Sequence, residues 1–315
     1  RIHANYLPAY CLVILAMTSQ HALLIVNRKS GNSDSDLNGG LKLLEDGGLT
    51  LIKLFSSDPK EINTFISQYA DQAHRVIIGG GDGTISAAAR ELVKHRLTLG
   101  ILPMGTANDL ARTLSIPTSV KEACRIIAQG RRHHIDIGMV NDHYFLNVAH
   151  IGLGVGVTHH LSHEIKNRWG ILSYARSVLE VIKNHRPFSA TIHCDGHIQK
   201  LRTTQIAVGN GRHYGGGMTI ADHAAIDDHL LHLYSLHPHP WWTMVPIALA
   251  IKTGHLQNRE GVYAMCGREI DIQTNSSQAV SADGEIITHT PVKFRVLSQA
   301  LSVYVPDDYQ SPYTY

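Results

Sequence analysis

The run Ile77-Ile78-Gly79-Gly80-Gly81-Asp82-Gly83-Thr84 is the first place where this chain could do chemistry. An apolar stretch precedes it and a helical pattern over Ile85 to Val93 follows, so the glycines occupy a strand-to-helix loop. Residues without a Cβ let backbone N–H groups close on an anion, and the positive end of the helix macrodipole adds to the attraction. That is the chemistry of phosphate binding. Asp82 brings a carboxylate beside the phosphates, whose repulsion a Mg²⁺ ion would offset. The loop is neither a P-loop, since Gly-Lys-Ser/Thr is missing, nor a GxGxxG fingerprint. The competing reading is a plain turn whose glycines serve a positive φ.

A second loop of the same kind follows in Leu102-Pro103-Met104-Gly105-Thr106-Ala107-Asn108-Asp109-Leu110-Ala111-Arg112. Taken alone, Thr106, Asn108 and Asp109 read equally well as N-caps of the next helix. Together, the two loops put polar groups side by side at the ends of neighbouring strands, where open α/β sheets bind ligands. Two pairs of histidines, His159 with His163 and His229 with His232, have helical spacing compatible with metal ligands. Neither brings an acid or Cys partner, so zinc is not expected.

The elements that must position these loops alternate in the first half. Ala22 to Asn27, Leu49 to Phe55, Arg75 to Ile78 and Thr98 to Leu102 read as strands of a parallel sheet. Asp58-Pro59 opens a helix with Ile62, Phe65, Ile66 and Tyr69 on one face, and Ser119 to Gln129 forms another that stops at Gly130. After about Asn141 the texture changes to short runs typical of antiparallel strands: Tyr144 to Val148, Ala190 to Cys194, Thr204 to Val208, Leu230 to Leu236, Glu269 to Thr274 and Val292 to Val296. Helices near 170–184 and 241–253 interrupt them.

Length and composition bound the rest. At 315 residues, 43% hydrophobic and 17% charged, the chain is neither disordered nor fibrous and can hold two cores. The net charge of +2 gives no field for nucleic acid, and no apolar run reaches the ~18 residues of a membrane span. Four scattered cysteines without a CxxC pair fit a reducing, cytoplasmic setting. Residues 1–16 read as a leader without function, with Met17 as the start.

In order and spacing, these motifs resemble the diacylglycerol kinase catalytic-domain family and, within it, the soluble bacterial lipid kinases. The landmarks are Asn27 with Ser30-Gly31, Gly79 to Thr84, Pro103 to Asp109, Gly209-Asn210-Gly211 with Gly215-Gly216-Gly217-Met218, Ile226-Asp227-Asp228 and Ala282-Asp283-Gly284-Glu285. The resemblance implies α/β plus β architecture: a Rossmann-like, phosphofructokinase-like nucleotide domain over 17–140 and an antiparallel β-sandwich lipid domain over 141–305. A tail over 306–315 is expected to fold back on the first domain.

It also implies ATP and Mg²⁺ as cofactors, with Asn27, Ser56, Gly80, Gly81, Asp82, Gly83, Thr84, Gly105, Thr106, Asn108 and Asp109 at the nucleotide. Glu285 is implied as general base, with Asp82 as a second catalytic acid. From the tripeptide alone, Asp283-Gly284-Glu285 reads as an exposed hairpin turn. A second Mg²⁺ site is implied at Asp228, through its carboxylate, and at Ala225 and Leu230, through their backbone oxygens. The family usually has Gly where His229 stands and Asn-Glu-Val where Ser86-Ala87-Ala88 stands.

The activity so implied is transfer of the γ-phosphate of ATP to the hydroxyl of diacylglycerol or a related lipid alcohol. The partner is a membrane-resident lipid met through transient contact at the inner face, without nucleic acid and with a homodimer left open. Trp241-Trp242, at the start of an apolar helix, is the candidate membrane contact, with packing against the sandwich as its alternative. An NAD kinase-like enzyme and a non-catalytic nucleotide-binding module are the rival readings.

Overall fold

The computed structural model describes residues 21–27, 34–155, 186–211, 213–214, 218–219, 224–238 and 261–312. The leader before Met17, Ser30-Gly31, His159, His163, the helices expected near 170–184 and 241–253, and Gly215-Gly216-Gly217 lie outside them.

The first half consists of β1 (His21–Val26), α1 (Asp34–Asp46), β2 (Thr50–Phe55), α2 (Pro59–Tyr69), β3 (Arg75–Gly80), α3 (Asp82–Lys94), β4 (Thr98–Pro103), α4 (Asp109–Thr113) and α5 (Val120–Gln129). These are the alternating elements read from the sequence, and they pair as the parallel order β2-β1-β3-β4. The apolar runs of β1, β3 and β4 are buried on both faces, as strands covered by helices must be. Their order reverses between β1 and β3. That switch point opens a crevice at the carboxyl ends, where Asn27 follows β1 and Gly81 follows β3.

The second half consists of β5 (Arg131–Val140), β6 (His143–Phe145), β7 (Val148–Gly152), β8 (Phe188–Cys194), β9 (His197–Thr203), β10 (Gln205–Gly209), β11 (His213–Tyr214), β12 (Met218–Thr219), β13 (Leu231–Leu236), β14 (Val262–Gly267), β15 (Glu269–Thr274), β16 (Ala279–Ala282), β17 (Glu285–His289) and β18 (Val292–Val305). A separate antiparallel sheet runs β14-β13-β10-β7-β16-β17. It faces β8, β15 and β18 across a second core that includes Ile151, Ile192, Ile206, Val208, Leu233, Ile270 and Val280. Phe145 meets Phe294 edge-on there at 6.2 Å. This is the sandwich that the resemblance implies.

Three details differ from the sequence reading. The strand expected over Tyr144 to Val148 is broken at Leu146-Asn147, because the N–H groups of 146–148 turn to a carboxylate described below. β5 went unread, since it begins with the polar run Arg131 to His134. β18 extends far past Val296: after an irregularity between Leu297 and Leu301 it pairs with β5 again and, through Val303 opposite Leu99, with β4. β18 therefore joins the parallel sheet to β15, β8 and β9, making one ten-stranded sheet common to both halves. Beyond it, Tyr309 is buried against the first core and its carbonyl accepts from Arg131.

Candidate active site

The two glycine loops touch through their backbones. A Cβ on Gly105 would stand 2.4 Å from the Gly81 Cα, and one on Gly80 would stand 2.8 Å from the Thr84 Oγ1. Gly81 has φ −94° and ψ −179°. The glycines are therefore required for close approach, and the positive-φ reading of Gly81 is corrected. The left-handed residue of the second loop is Asn108, at φ 51°. Its side chain closes on Gly105, accepting from the Gly105 N–H at 2.9 Å and donating to the Gly105 carbonyl at 2.9 Å. The expected N-cap bond from Asn108 is accordingly absent; the amide shapes the loop instead.

How each helix start is satisfied shows where an anion fits. Asp58 caps α2 by accepting from the Lys60 N–H at 2.8 Å, and Ser119 caps α5. The N-terminus of α4 is satisfied from outside: Asp82 accepts from the N–H groups of Asp109 at 3.1 Å and Leu110 at 3.0 Å. Its Oδ1 also receives the Asn147 amide at 3.4 Å. Asp82 thus locks the two loops together. α3 begins at Gly81, which has no side chain to offer its first turn. The uncapped N–H groups of a first turn and the positive end of the dipole are an anion-binding arrangement.

The other expected nucleotide residues gather at the same strand ends. Asn27 donates its N–H to the Gly79 carbonyl at 2.8 Å and its amide to Thr84 Oγ1 at 3.0 Å, tying the switch point to α3. Ser56 lies buried at the end of β2, with its hydroxyl donating to Glu61 and accepting from the Asp58 N–H. That commits it to the turn into α2. Thr106 is exposed at the top of its loop, and Gly83 has nothing within 4 Å of a notional Cβ.

Glu285 reaches this region from the other half of the chain. Ala282-Asp283-Gly284-Glu285 is indeed a hairpin turn, with both central residues at positive φ, 45° and 96°. Its charges are not all solvated, however. The Asp283 carboxylate accepts from Ser86 Oγ at 2.7 Å and from the N–H groups of Leu146 at 2.7 Å, Asn147 at 3.0 Å and Val148 at 3.1 Å. Burial pushes its pKa above the usual carboxylate value, and these four donors pull against that rise. Asp283 thereby fixes the hairpin to α3, and Glu285 is presented, exposed, on the wall of a cleft of about 180 Å³. Gly83, Ser86, Ala87, Arg90, Asn63, His143 and Tyr144 line the same cleft.

Asn147 and Arg90 were missed by sequence reasoning, which read Asp283 only as an exposed acid of the hairpin turn. Also missed was the role of Asn210, which donates to the carbonyls of Asp136 at 2.8 Å and Leu146 at 3.2 Å and so holds the 146–148 turn in place. These contacts join residues 64 to 197 positions apart, so no local spacing announces them.

The loop expected to hold a second metal is organised around its own carboxylate. Asp228 is buried, and its Oδ2 accepts from the Ala225 N–H at 3.0 Å and the His232 Nε2–H at 2.7 Å, while Oδ1 accepts from the Leu230 N–H at 2.9 Å. Ala225 and Leu230 thus meet the carboxylate through their N–H groups, and the backbone oxygens expected at the metal take no part in these bonds. Three N–H donors take three of the carboxylate's lone pairs and leave one for a further ligand. Among the described residues no group of three or more His, Cys, Asp or Glu could hold a metal. His229, where glycine is usual in the resembling family, does adopt left-handed φ of 64°. Asp136 offsets the strain by accepting from its N–H at 2.6 Å and pairing with its ring at 3.1 Å.

Comparison with known proteins agrees with this architecture. Residues 21–140 match the diacylglycerol kinase catalytic domain, and residues 148–305 match the YegS C-terminal NAD kinase beta sandwich-like domain. A protein of Yersinia enterocolitica named probable lipid kinase YegS-like is 36% identical over 68% of this chain and 74% of its own length. Its namesake in Klebsiella pneumoniae is 30% identical over 91% of this chain and 96% of its own. A crystal structure of a diacylglycerol kinase from Bacillus anthracis str. Sterne superposes with a TM-score of 0.77 at 25% identity, covering 92% of this chain and 98% of that one. No helix among the described residues is long and apolar enough to cross a membrane.

Proposed function

The chain belongs to the diacylglycerol kinase catalytic-domain family, and from that premise we propose that it is an ATP- and Mg²⁺-dependent lipid kinase that phosphorylates the hydroxyl of diacylglycerol or a related lipid alcohol. The observation that carries this reading is the shared cleft, which Glu285 lines together with Gly83 of the uncapped first turn of α3. Phosphoryl transfer needs little covalent help from a protein; it needs the donor phosphate held in line and the acceptor hydroxyl relieved of its proton.

The N–H groups around Gly81, Asp82 and Gly83 hold the transferred phosphate, and the Gly81–Gly105 contact shapes the bed beneath it. Glu285 accepts the hydroxyl proton as the oxygen attacks. Asp283 keeps Glu285 in place through Ser86 and the 146–148 turn. Mg²⁺ bound together with the nucleotide would supply the remaining neutralisation of charge, and no step is routed through Asp228. The lipid is approached by transient contact with the inner face of a membrane.

The test is incubation with radiolabelled ATP, Mg²⁺ and a panel of lipid alcohols plus NAD, with products separated by chromatography. Label in a lipid is the expected result. Label in NAD alone would favour a soluble-substrate kinase, and no labelled product despite ATP binding would favour a regulatory module.

A further inference from the structure

The seam between β4 and β18 carries a cluster that the transfer chemistry does not use. β18 joins β4 through one register pair, Val303 opposite Leu99. Thr98 and Ser302, one residue before each, share a face, with their hydroxyls 3.4 Å apart. Register places Arg75 of β3 opposite Thr98, His134 of β5 opposite Ser302, and Arg132 of β5 opposite Tyr304 of β18. Side chains two apart on a strand point to one face, so these groups lie together on one face of the sheet. α5 covers that face at Gly100, where a Cβ would stand 2.9 Å from Ile127 Cδ1. Arg75 and Thr98 are the first residues of β3 and β4, at the end of the sheet away from the cleft.

Two guanidiniums converge here on one ring. That of Arg75 lies 5.7 Å and that of Arg132 6.0 Å from the centre of the Tyr304 ring. Stacking uses the face of a guanidinium and leaves the N–H donors in its plane without acceptors. Among the described residues neither arginine enters an ion pair. The Arg75 Nε is buried without a hydrogen-bond partner among them. A charged donor withdrawn from water without an acceptor is unfavourable, and a second cation on the same ring adds repulsion. One acceptor of opposite charge within reach of both forks removes both costs.

We propose that this seam binds a phosphate-type anion between the guanidinium forks of Arg75 and Arg132, with the Ser302 hydroxyl and the His134 ring beside it. The oxygens of a phosphate accept in pairs from planar forks, which a halide or a carbonyl does not match. Tyr304 and Thr98, each 4% exposed, close the floor of the site, whereas Arg132 and His134 are exposed and leave it open to solvent. The anion bridges β3 to β5 across β4 and β18 and so fastens the junction that has a single register pair. Binding only to the folded chain, it stabilises that chain by mass action. The site lies at the amino ends of the strands, so it does not depend on the kinase reading.

Calorimetric titration with inorganic phosphate tests the site without turnover. The glycine loops can take phosphate too, so the seam is read as the binding that seam substitutions remove. Arg75→Gln and Arg132→Gln should each weaken that binding about tenfold or more, because a hydrogen bond between charged groups is lost. Arg75→Lys should recover part of it, keeping the charge without the fork. His134→Glu puts a carboxylate at an exposed position beside the forks; it should abolish the binding, and with it the rise in melting temperature that phosphate gives the wild type, while the phosphate-free protein melts no lower. Sedimentation with phosphatidylcholine vesicles containing phosphatidic acid separates the sources of the anion. Vesicle binding that His134→Glu removes, without heat from free phosphate, assigns the site to a lipid phosphate. Phosphate and vesicle binding in Arg132→Gln and His134→Glu within about twofold of wild type overturns the proposal, even if Arg75→Gln fails to fold. Transfer of label from ATP to lipid stands or falls separately.

Discussion

Asp283 and Asp228 are both carboxylates wrapped by hydrogen-bond donors in tight turns of the second half, yet they act over different ranges. Asp283 gathers its donors from α3 and from the turn between β6 and β7, 135 to 197 residues away. Asp228 gathers its own from Ala225, Leu230 and His232, two to four residues away. Each is a short acidic turn in sequence. The chemistry is the same, but the first fastens one half of the chain to the other across the cleft, whereas the second stiffens only its own loop. Long-range anchoring therefore marks the turn that carries the candidate base. The effects of substitution should divide along the same line.

The largest effect is expected at the residue the Asp283 turn presents. Glu285→Gln keeps the size and shape of the side chain but cannot take the acceptor's proton, so kcat should fall by about 10²- to 10⁴-fold. ATP affinity, measured by calorimetry, should stay within a factor of two. Turnover within a few-fold of wild type would mean that the cleft contains another base and that the turn's anchoring serves stability alone.

Asp283→Asn comes next. The amide has one acceptor oxygen where the carboxylate had two, and its NH₂ group faces N–H donors. Unfolding in urea should then show a loss of about 3 kcal/mol, since buried donors lose a charged partner. kcat should fall with it, because Glu285 is no longer held against α3. A variant equally stable but less active would assign Asp283 to the chemistry itself; one less stable but fully active would separate the anchor from the base.

What could be read in advance follows the same division by range. The phosphate loops were legible because their glycines and helix starts are local features, and β1, β3 and β4 because both of their faces are apolar. The Glu285 cleft followed only from the order of motifs. Its means of assembly was not legible, because Ser86, Asn147 and Asp283 find one another only once both cores have formed. β18 was half legible. Val292 to Val296 has the pattern of a strand, but the irregularity between Leu297 and Leu301, with Gln299 at φ 51°, breaks the alternation before the chain returns to β4.

A third measurement probes the sheet behind the Asp283 turn. His150 on β7 lies opposite Ser281, and burial lowers its pKa from 6.5 to about 4. The unfolded chain therefore binds a proton on this residue between those values that the folded chain does not. This residue's contribution is fully present above pH 6.5, declines as the pH falls toward 4 and is lost below it. At pH 5 it should amount to about 2 kcal/mol of lost stability. His150→Gln should flatten the pH dependence of the melting temperature between 7 and 5. An unchanged slope would place the proton uptake elsewhere.

The smallest effect is expected at Asp228, and it bears most directly on the comparison. If three N–H donors already satisfy this carboxylate, Asp228→Asn weakens the His232 and backbone bonds of a single loop and should cost about 1 to 2 kcal/mol. A cation bound only by the folded state would instead stabilise it by mass action, and the loss would then depend on that cation. Melting the wild type and Asp228→Asn without nucleotide, in Mg²⁺ and in chelator, separates the two. Equal losses in both conditions are expected, with kcat nearly unchanged because the loop does not touch the cleft. A loss confined to Mg²⁺ would show that the carboxylate's remaining lone pair recruits a metal after all. The loop would then be held by a ligand from outside the chain, and the contrast with Asp283 would become one between a protein-satisfied carboxylate and a metal-satisfied one.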